Sequence, residues 1–298
     1  MDAVEILPAA PYDLAASARG LDGVTRRLRG GALEVRLRGG TAHVRQRRDG
    51  ALEARIEADD AQAVERALRF VLACDEPVDG LLAVARGDAL LAPLVRRAPG
   101  LRALRVETVA HAALRAVAGQ LITYREALAI ERRTVALAVP APRGALRPSP
   151  TADELLALGT ARIASCGLAP RRAETLTRLL RGVDLERLRT AEPDRVAARL
   201  ARENGIGPWS IGVIGLHGYG WRDHGLVGDL GLMRLASERL GRPAEPADTA
   251  ELLAPFAPWR GLASVHLLGH PLARVASGQL RRRANAPPAA SGSAPETI

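Results

Sequence analysis

The sequence predicts an α+β protein. A small N-terminal antiparallel-sheet unit with a helix spans residues 1–75, and a larger all-helical region spans residues 76–280. Three observations carry that expectation. Between residues 33 and 57 apolar and charged side chains alternate with period two, the pattern of half-buried strands. At residues 60–74 the spacing becomes helical, and from about residue 76 strand signals vanish. A tail over residues 281–298, opening on three arginines and continuing in Ala, Pro, Ser and Gly, is expected to be disordered.

The elements follow in order. Leu33, Val35 and Leu37 alternate with Glu34, Arg36 and Arg38, and a weaker strand precedes them at about residues 24–28. Gly39-Gly40 offers a turn, Ala42 and Val44 continue the alternation, and Asp49-Gly50 is a hairpin turn signal before Leu52, Ala54 and Ile56. Val64, Ala67, Leu68 and Val71 then share one side of a helix. Further helices are expected at residues 80–85, 89–97, 108–119, 123–137, 152–158, 160–166, 171–182, 184–189, 193–203, 208–216, 230–240, 249–256 and 261–268. Thr151 and Glu154 have capping-box spacing, and residues 140–150 form a proline-rich loop.

Composition bounds the partners. The chain of 298 residues carries a net charge of +9, which favours a polyanion. All 42 basic residues are arginine, so no lysine can form a Schiff base. Cys74 and Cys166 suggest a reducing cytosol and cannot supply the four thiolates of an iron–sulfur cluster. No uninterrupted apolar stretch reaches the ~18 residues of a membrane span, and the first residues lack a signal-peptide pattern. A cytoplasmic monomer without cofactor is expected. His266 and His270 have i, i+4 spacing, but Gly269 and Pro271 would interrupt a metal-binding helix, so no metal site is expected.

The most informative stretch is Asn204-Gly205-Ile206-Gly207-Pro208-Trp209-Ser210, followed by Val227-Gly228-Asp229-Leu230-Gly231-Leu232. Two glycines permit a tight turn around the apolar plug Ile206, and Pro208 suits the first turn of the next helix. This reads as the hairpin of a helix-hairpin-helix over about residues 193–216, whose free N–H groups can hold a phosphate. Asp229 stands just before an apolar run, where a helix N-cap is the plainer explanation, and the two roles are compatible.

These segments resemble the AlkA-type DNA-3-methyladenine glycosylases II of the helix-hairpin-helix superfamily. Pro11-Tyr12-Asp13 looks like the N-terminal signature and Ala118-Gly119-Gln120-Leu121-Ile122-Thr123 like the Gly-Gln-Leu stretch. Gly205-Ile206-Gly207-Pro208-Trp209 matches the hairpin, Gly228-Asp229-Leu230-Gly231 the catalytic segment, and Pro258-Trp259-Arg260 a late element. The resemblance implies a monofunctional base-excision repair enzyme. It would flip alkylated purines out of double-stranded DNA and hydrolyse the N-glycosidic bond.

In that reading Asp229 is the catalytic carboxylate and Trp209 and Trp259 hold the base. Leu121, with Gln120, is the wedge, and Gly205, Ile206 and Gly207 bind phosphate. Val213, Leu230 and Gly20 stand where more aromatic side chains would be expected, which implies a weaker grip on a cationic base. Two alternatives stay open: a DNA-binding protein that kept the hairpin and lost the pocket, and a glycosylase for hypoxanthine or uracil. Trp259 and Leu121 can also be read as core packing and Gln120 as a buried amide, while Arg171-Arg172 and Arg281–Arg283 are read equally as solvated surface or as phosphate contacts.

Overall fold

The computed structural model describes residues 2–269. The tail expected over residues 281–298, with its three arginines, and His270 lie outside the described residues. Five strands build one antiparallel sheet: β1 (Asp2–Ile6), β2 (Arg26–Arg29), β3 (Ala32–Leu37), β4 (Gly40–Gln46) and β5 (Leu52–Ala58), in the order β1-β5-β4-β3-β2. The alternation read from the sequence is the burial pattern observed. Leu33, Val35 and Leu37, then Ala42 and Val44, then Leu52, Ala54 and Ile56 all face inward. Helix α2 (Ala61–Leu72) covers that face with Val64, Leu68, Val71 and Leu72.

Two elements were not expected. The edge strand β1 pairs with β5, setting Ile6 opposite Leu52. The single turn α1 (Leu14–Ser17) starts at Asp13, whose Oδ1 accepts from the Ala16 N–H at 2.8 Å. Tyr12 is buried beside it and donates its hydroxyl to the Leu72 carbonyl at 2.8 Å, closing the entry segment onto α2.

The rest is helical: α3 (Asp79–Ala85), α4 (Leu91–Arg97), α5 (Val109–Gly119), α6 (Tyr124–Ala138), α7 (Ala152–Ser165), α8 (Pro170–Gly182), α9 (Pro193–Leu200), α10 (Pro208–Ile214), α11 (Leu230–Leu240), α12 (Pro246–Leu253) and α13 (Arg260–Leu268). Helix α7 covers the two helices expected at residues 152–158 and 160–166, and Gly159, at φ +73° and ψ 158°, makes the break between them. The helix expected at residues 184–189 is only a 3-10 turn, Arg187–Thr190. Among the described residues no helix is long and apolar enough to cross a membrane.

Helix α5 organises this region. Its small apolar residues leave no polar stripe, so it is buried along almost its whole length, and α6, α8 and α10 pack around it. Its one ionisable pair of side chains is satisfied inside: His111 bonds Glu131 of α6 at 2.8 Å, and Arg115 bonds the same carboxylate at 2.8 Å. The two guanidinium and imidazole partners hold the Glu131 carboxyl well below its ordinary range, against the opposing effect of burial. Asp22 and Arg26, from the loop before and the start of β2, join this cluster and lock the sheet unit against α5 and α6. The C-terminal end of α5 is thereby a fixed point, and the site begins there.

Candidate active site and DNA-facing surface

Helix α5 runs out at Gly119, and the chain turns through Gln120 and Leu121 before Thr123 caps α6. Thr123 Oγ1 accepts from the Glu126 N–H at 3.2 Å and Glu126 returns the bond to the Thr123 N–H, a reciprocal capping box. Between these two anchored helices Leu121 takes φ +50°, a left-handed conformation unusual for a branched apolar residue, and is 78% exposed. An apolar side chain held out into solvent by a strained backbone is the reverse of core packing.

Gln120 faces the other way. Its amide donates to the Gly205 carbonyl at 2.8 Å and to Ser210 Oγ at 3.0 Å. With its two donors committed to the hairpin, Gln120 braces the Leu121 loop while still lining the cleft beside Leu121.

The hairpin joins α9 to α10. Gly205 has φ +85°, and a Cβ there would meet Thr175 Oγ1 at 2.8 Å, so both conformation and space exclude a side chain. Ile206 is buried as the plug, and its N–H closes the turn onto the Glu203 carbonyl at 3.0 Å. Arg178 of α8 holds the Asn204 carbonyl at 2.6 Å. Gly207 has open space around it and begins α10 without a side-chain cap. A cleft of about 480 Å³ separates this hairpin from Leu121, and Arg172 lines it as well.

Asp229 is the N-cap of α11. Its Oδ1 accepts from the Gly231 N–H at 2.8 Å, and its Oδ2 accepts from the Trp209 indole N–H at 2.9 Å. The loop before it is pinned by Gly228 N–H donating to Thr249 Oγ1 at 2.8 Å and Leu226 N–H donating to Ser264 Oγ at 3.1 Å. Burial pushes the Asp229 carboxyl above its ordinary range, while the bonds from Trp209, Gly231 and Leu232 act against that rise. The far edge of the Trp209 indole lies on Gly119, where a Cβ would come within 2.7 Å. One tryptophan thus spans from the end of α5 to the carboxylate.

The structure therefore joins Leu121, Gln120, the hairpin, Trp209 and Asp229 by an unbroken run of contacts. Trp259 stands apart from that run. It is 6% exposed, its indole edge abuts Gly80 of α3, and the Arg222 guanidinium lies 4.6 Å from a ring centroid. With a cation already over the ring and no open face, Trp259 is core packing in this conformation, which corrects its assignment to the base pocket. Val213 is likewise buried.

Arg172, open in the sequence between solvated surface and a phosphate contact, lines the cleft. Two contributors have no role assigned from the sequence. Ser210 is hidden because its partner Gln120 is distant in the chain. Tyr124 is 63% exposed at the first position of α6 and donates its hydroxyl to the Gly20 carbonyl. Its position three residues after Leu121 was the available signal.

No family model matches the chain. A curated protein of Mycobacterium tuberculosis, "Probable bifunctional transcriptional activator/DNA repair enzyme AlkA", is 30% identical over 211 residues, which are 68% of this chain and 42% of that protein. The chain thus spans less than half the length of the curated relatives it matches.

Among solved structures, the 3-methyladenine DNA glycosylase of Archaeoglobus fulgidus superposes with a TM-score of 0.77 at 20% identity, over 90% of this chain and 97% of that one. The 8-oxoguanine glycosylase/lyase of Clostridium acetobutylicum gives 0.71 at 15% identity, over 90% and 96%. The 3-methyladenine DNA glycosylase Mag1 of fission yeast (Schizosaccharomyces pombe), solved with abasic DNA, gives 0.53 at 19% identity, over 63% and 94%. At these identities the likeness is one of fold.

Proposed function

We propose, from its likeness in sequence to AlkA and in fold to the DNA glycosylases, that the chain is a monofunctional DNA glycosylase for alkylated purines. It acts on double-stranded DNA, as a cytoplasmic monomer, on lesions of the 3-methyladenine and 7-methylguanine type. The observation that carries this reading is the Asp229 carboxylate, half-buried at the start of α11 and tied through Trp209 to the hairpin side of the molecule.

The chemistry follows from the charges. A cationic alkyl-base leaves with the bonding electron pair and becomes neutral, so no strong general acid is needed. The sugar left behind develops positive charge at C1′, and water adds there. A carboxylate preorganised beside it stabilises that charge and accepts the water proton. Trp209 offers the π-surface for the extruded base, worth roughly 0.5–2 kcal/mol. Leu121 fills the gap left in the stack, and the N–H groups around Gly205, Ile206 and Gly207 grip the backbone. With no lysine in the 298 residues, the strand is left intact at an abasic site.

Arg172 belongs to the same surface. It stands in the cleft between wedge and hairpin, half-buried and with no acidic partner among the described residues. Binding that neutralises about four to six phosphates gives a slope of log K against log[salt] near −4 to −5. Arg172→Gln is expected to reduce the slope by about 1, measured by titration of undamaged duplex at several salt concentrations.

The reading itself is tested by incubating the protein with methylated duplex DNA. Free 3-methyladenine or 7-methylguanine should appear, and the strand should break only after alkali. Salt-dependent binding without base release would leave a DNA-binding protein. Release confined to hypoxanthine or uracil would change the substrate class.

A further inference from the structure

Of the three tryptophans, three tyrosines and two phenylalanines, all within the described residues, only Tyr124 is exposed. It is not a stray surface residue. Leu121 and Tyr124 are the two most exposed members of the wedge segment, at 78% and 63%, while Ile122 between them packs into the core. The capping box at Thr123 and Glu126 fixes the chain between the two side chains.

The phenol is also held. Its hydroxyl donates to the Gly20 carbonyl, and Gly20, at φ +72°, has no room for a side chain, since a Cβ there would lie 2.7 Å from the Tyr124 oxygen. The same loop is bonded to α6 a second time, through Arg132 Nε and the Asp22 carbonyl. Below it Asp22, Arg26, Arg115 and Glu131 form the buried ion cluster that fixes α5 and α6. An aromatic ring is thus carried on a rigid base with its hydroxyl end tethered and much of its surface open to solvent.

We propose that Tyr124 is a second DNA-stacking residue, working with Leu121 and stacking on the base left unpaired opposite the extruded nucleotide. The inference rests on the glycosylase reading above. The direction comes from the cleft: hairpin and Arg172 lie on one side of Leu121, and Tyr124 does not line that cleft but leans toward Gly20. On that reading the hairpin grips the strand that loses its base, and the ring beyond the wedge meets the complementary strand. Base–aromatic stacking tolerates any base, because every base has a π-face. Tyr124 therefore stabilises the opened step without specifying the partner base.

The test uses full-length protein and a duplex with a tetrahydrofuran abasic analogue opposite 2-aminopurine, which needs no catalysis. Wild type should quench the 2-aminopurine on binding. Tyr124→Ala should lose the quenching and bind roughly tenfold more weakly. Tyr124→Phe gives up the same hydroxyl bond to Gly20 but keeps the ring, and should retain both quenching and binding, which separates the ring from the tether. Quenching unaffected by Tyr124→Ala would overturn the proposal, as would quenching found only with 2-aminopurine in the extruded position. Wild type that shows no preference for the abasic duplex would instead remove the glycosylase reading beneath it.

Discussion

Asp229→Asn is expected to lower base release from methylated DNA by at least about 10²-fold while leaving duplex affinity nearly unchanged. The amide keeps the shape and can still accept from the Gly231 N–H, so the cap on α11 survives, with bond lengths now near 2.8 Å. What disappears is the negative charge beside the forming oxocarbenium centre, together with the Oδ2 acceptor of the Trp209 indole N–H, since an amide NH2 cannot accept; removal of a single preorganised electrostatic group of that kind typically costs 10²–10³ in rate. Single-turnover release measured with enzyme in excess separates this from binding, which is read by titration of the same duplex. A variant that kept wild-type release would show that the carboxylate has no catalytic part. One that lost binding as well would show that the Asn disturbs the packing of the 226–229 loop.

That prediction was available in outline from the sequence, because its residues are local. Gly205-Ile206-Gly207-Pro208-Trp209 and the residues up to Asp229 form one continuous stretch, and the turn chemistry of Gly and Pro can be read without knowing what lies opposite. The strands from Leu33 to Ile56 were legible for a similar reason: a single buried face imposes period two. The break between the two expected helices near Gly159 was visible too, as helical spacing restarting after a glycine.

What stayed hidden depends on distant partners. Strand β1 is short and becomes a strand only by pairing with β5, some fifty residues on in the chain. The single turn α1 is too brief to show a period. Gln120 could not be assigned from its neighbours, since both of its acceptors belong to the hairpin. Trp259 looked like a pocket wall because tryptophan suits a cationic base, yet Arg222 supplies the cation over its ring. Composition told that an aromatic was scarce, not which one would be covered. Tyr124 shows the converse, being singled out only by its exposure and by the fit to Gly20.

The second large effect concerns Trp209, which joins two functions that substitution can separate. Trp209→Ala removes the π-surface, worth roughly 0.5–2 kcal/mol toward a cation, and the hydrogen bond to the Asp229 carboxylate, worth roughly 1.5–3 kcal/mol for a charged acceptor. Base release should fall roughly 10²-fold. Trp209→Phe keeps a ring but loses the indole N–H, and so isolates the second part. Burial already pushes the Asp229 carboxyl above the ordinary 3.8, and the indole bond is the largest influence opposing that rise.

Asp229 must be ionised to act, so release falls as pH drops through its folded-state pKa. Without the indole donor that pKa climbs further, and the acid limb of the pH–rate profile should move upward, with the loss largest at acid pH and shrinking toward alkaline pH. The measurement is single-turnover release across a pH series for wild type, Trp209→Phe and Trp209→Ala. If Phe lowers the rate equally at every pH, Trp209 acts only through stacking and the tie between indole and carboxylate has no catalytic weight. If the limb moves, the one aromatic bridge between α5 and α11 sets the protonation state of the group that carries the reaction.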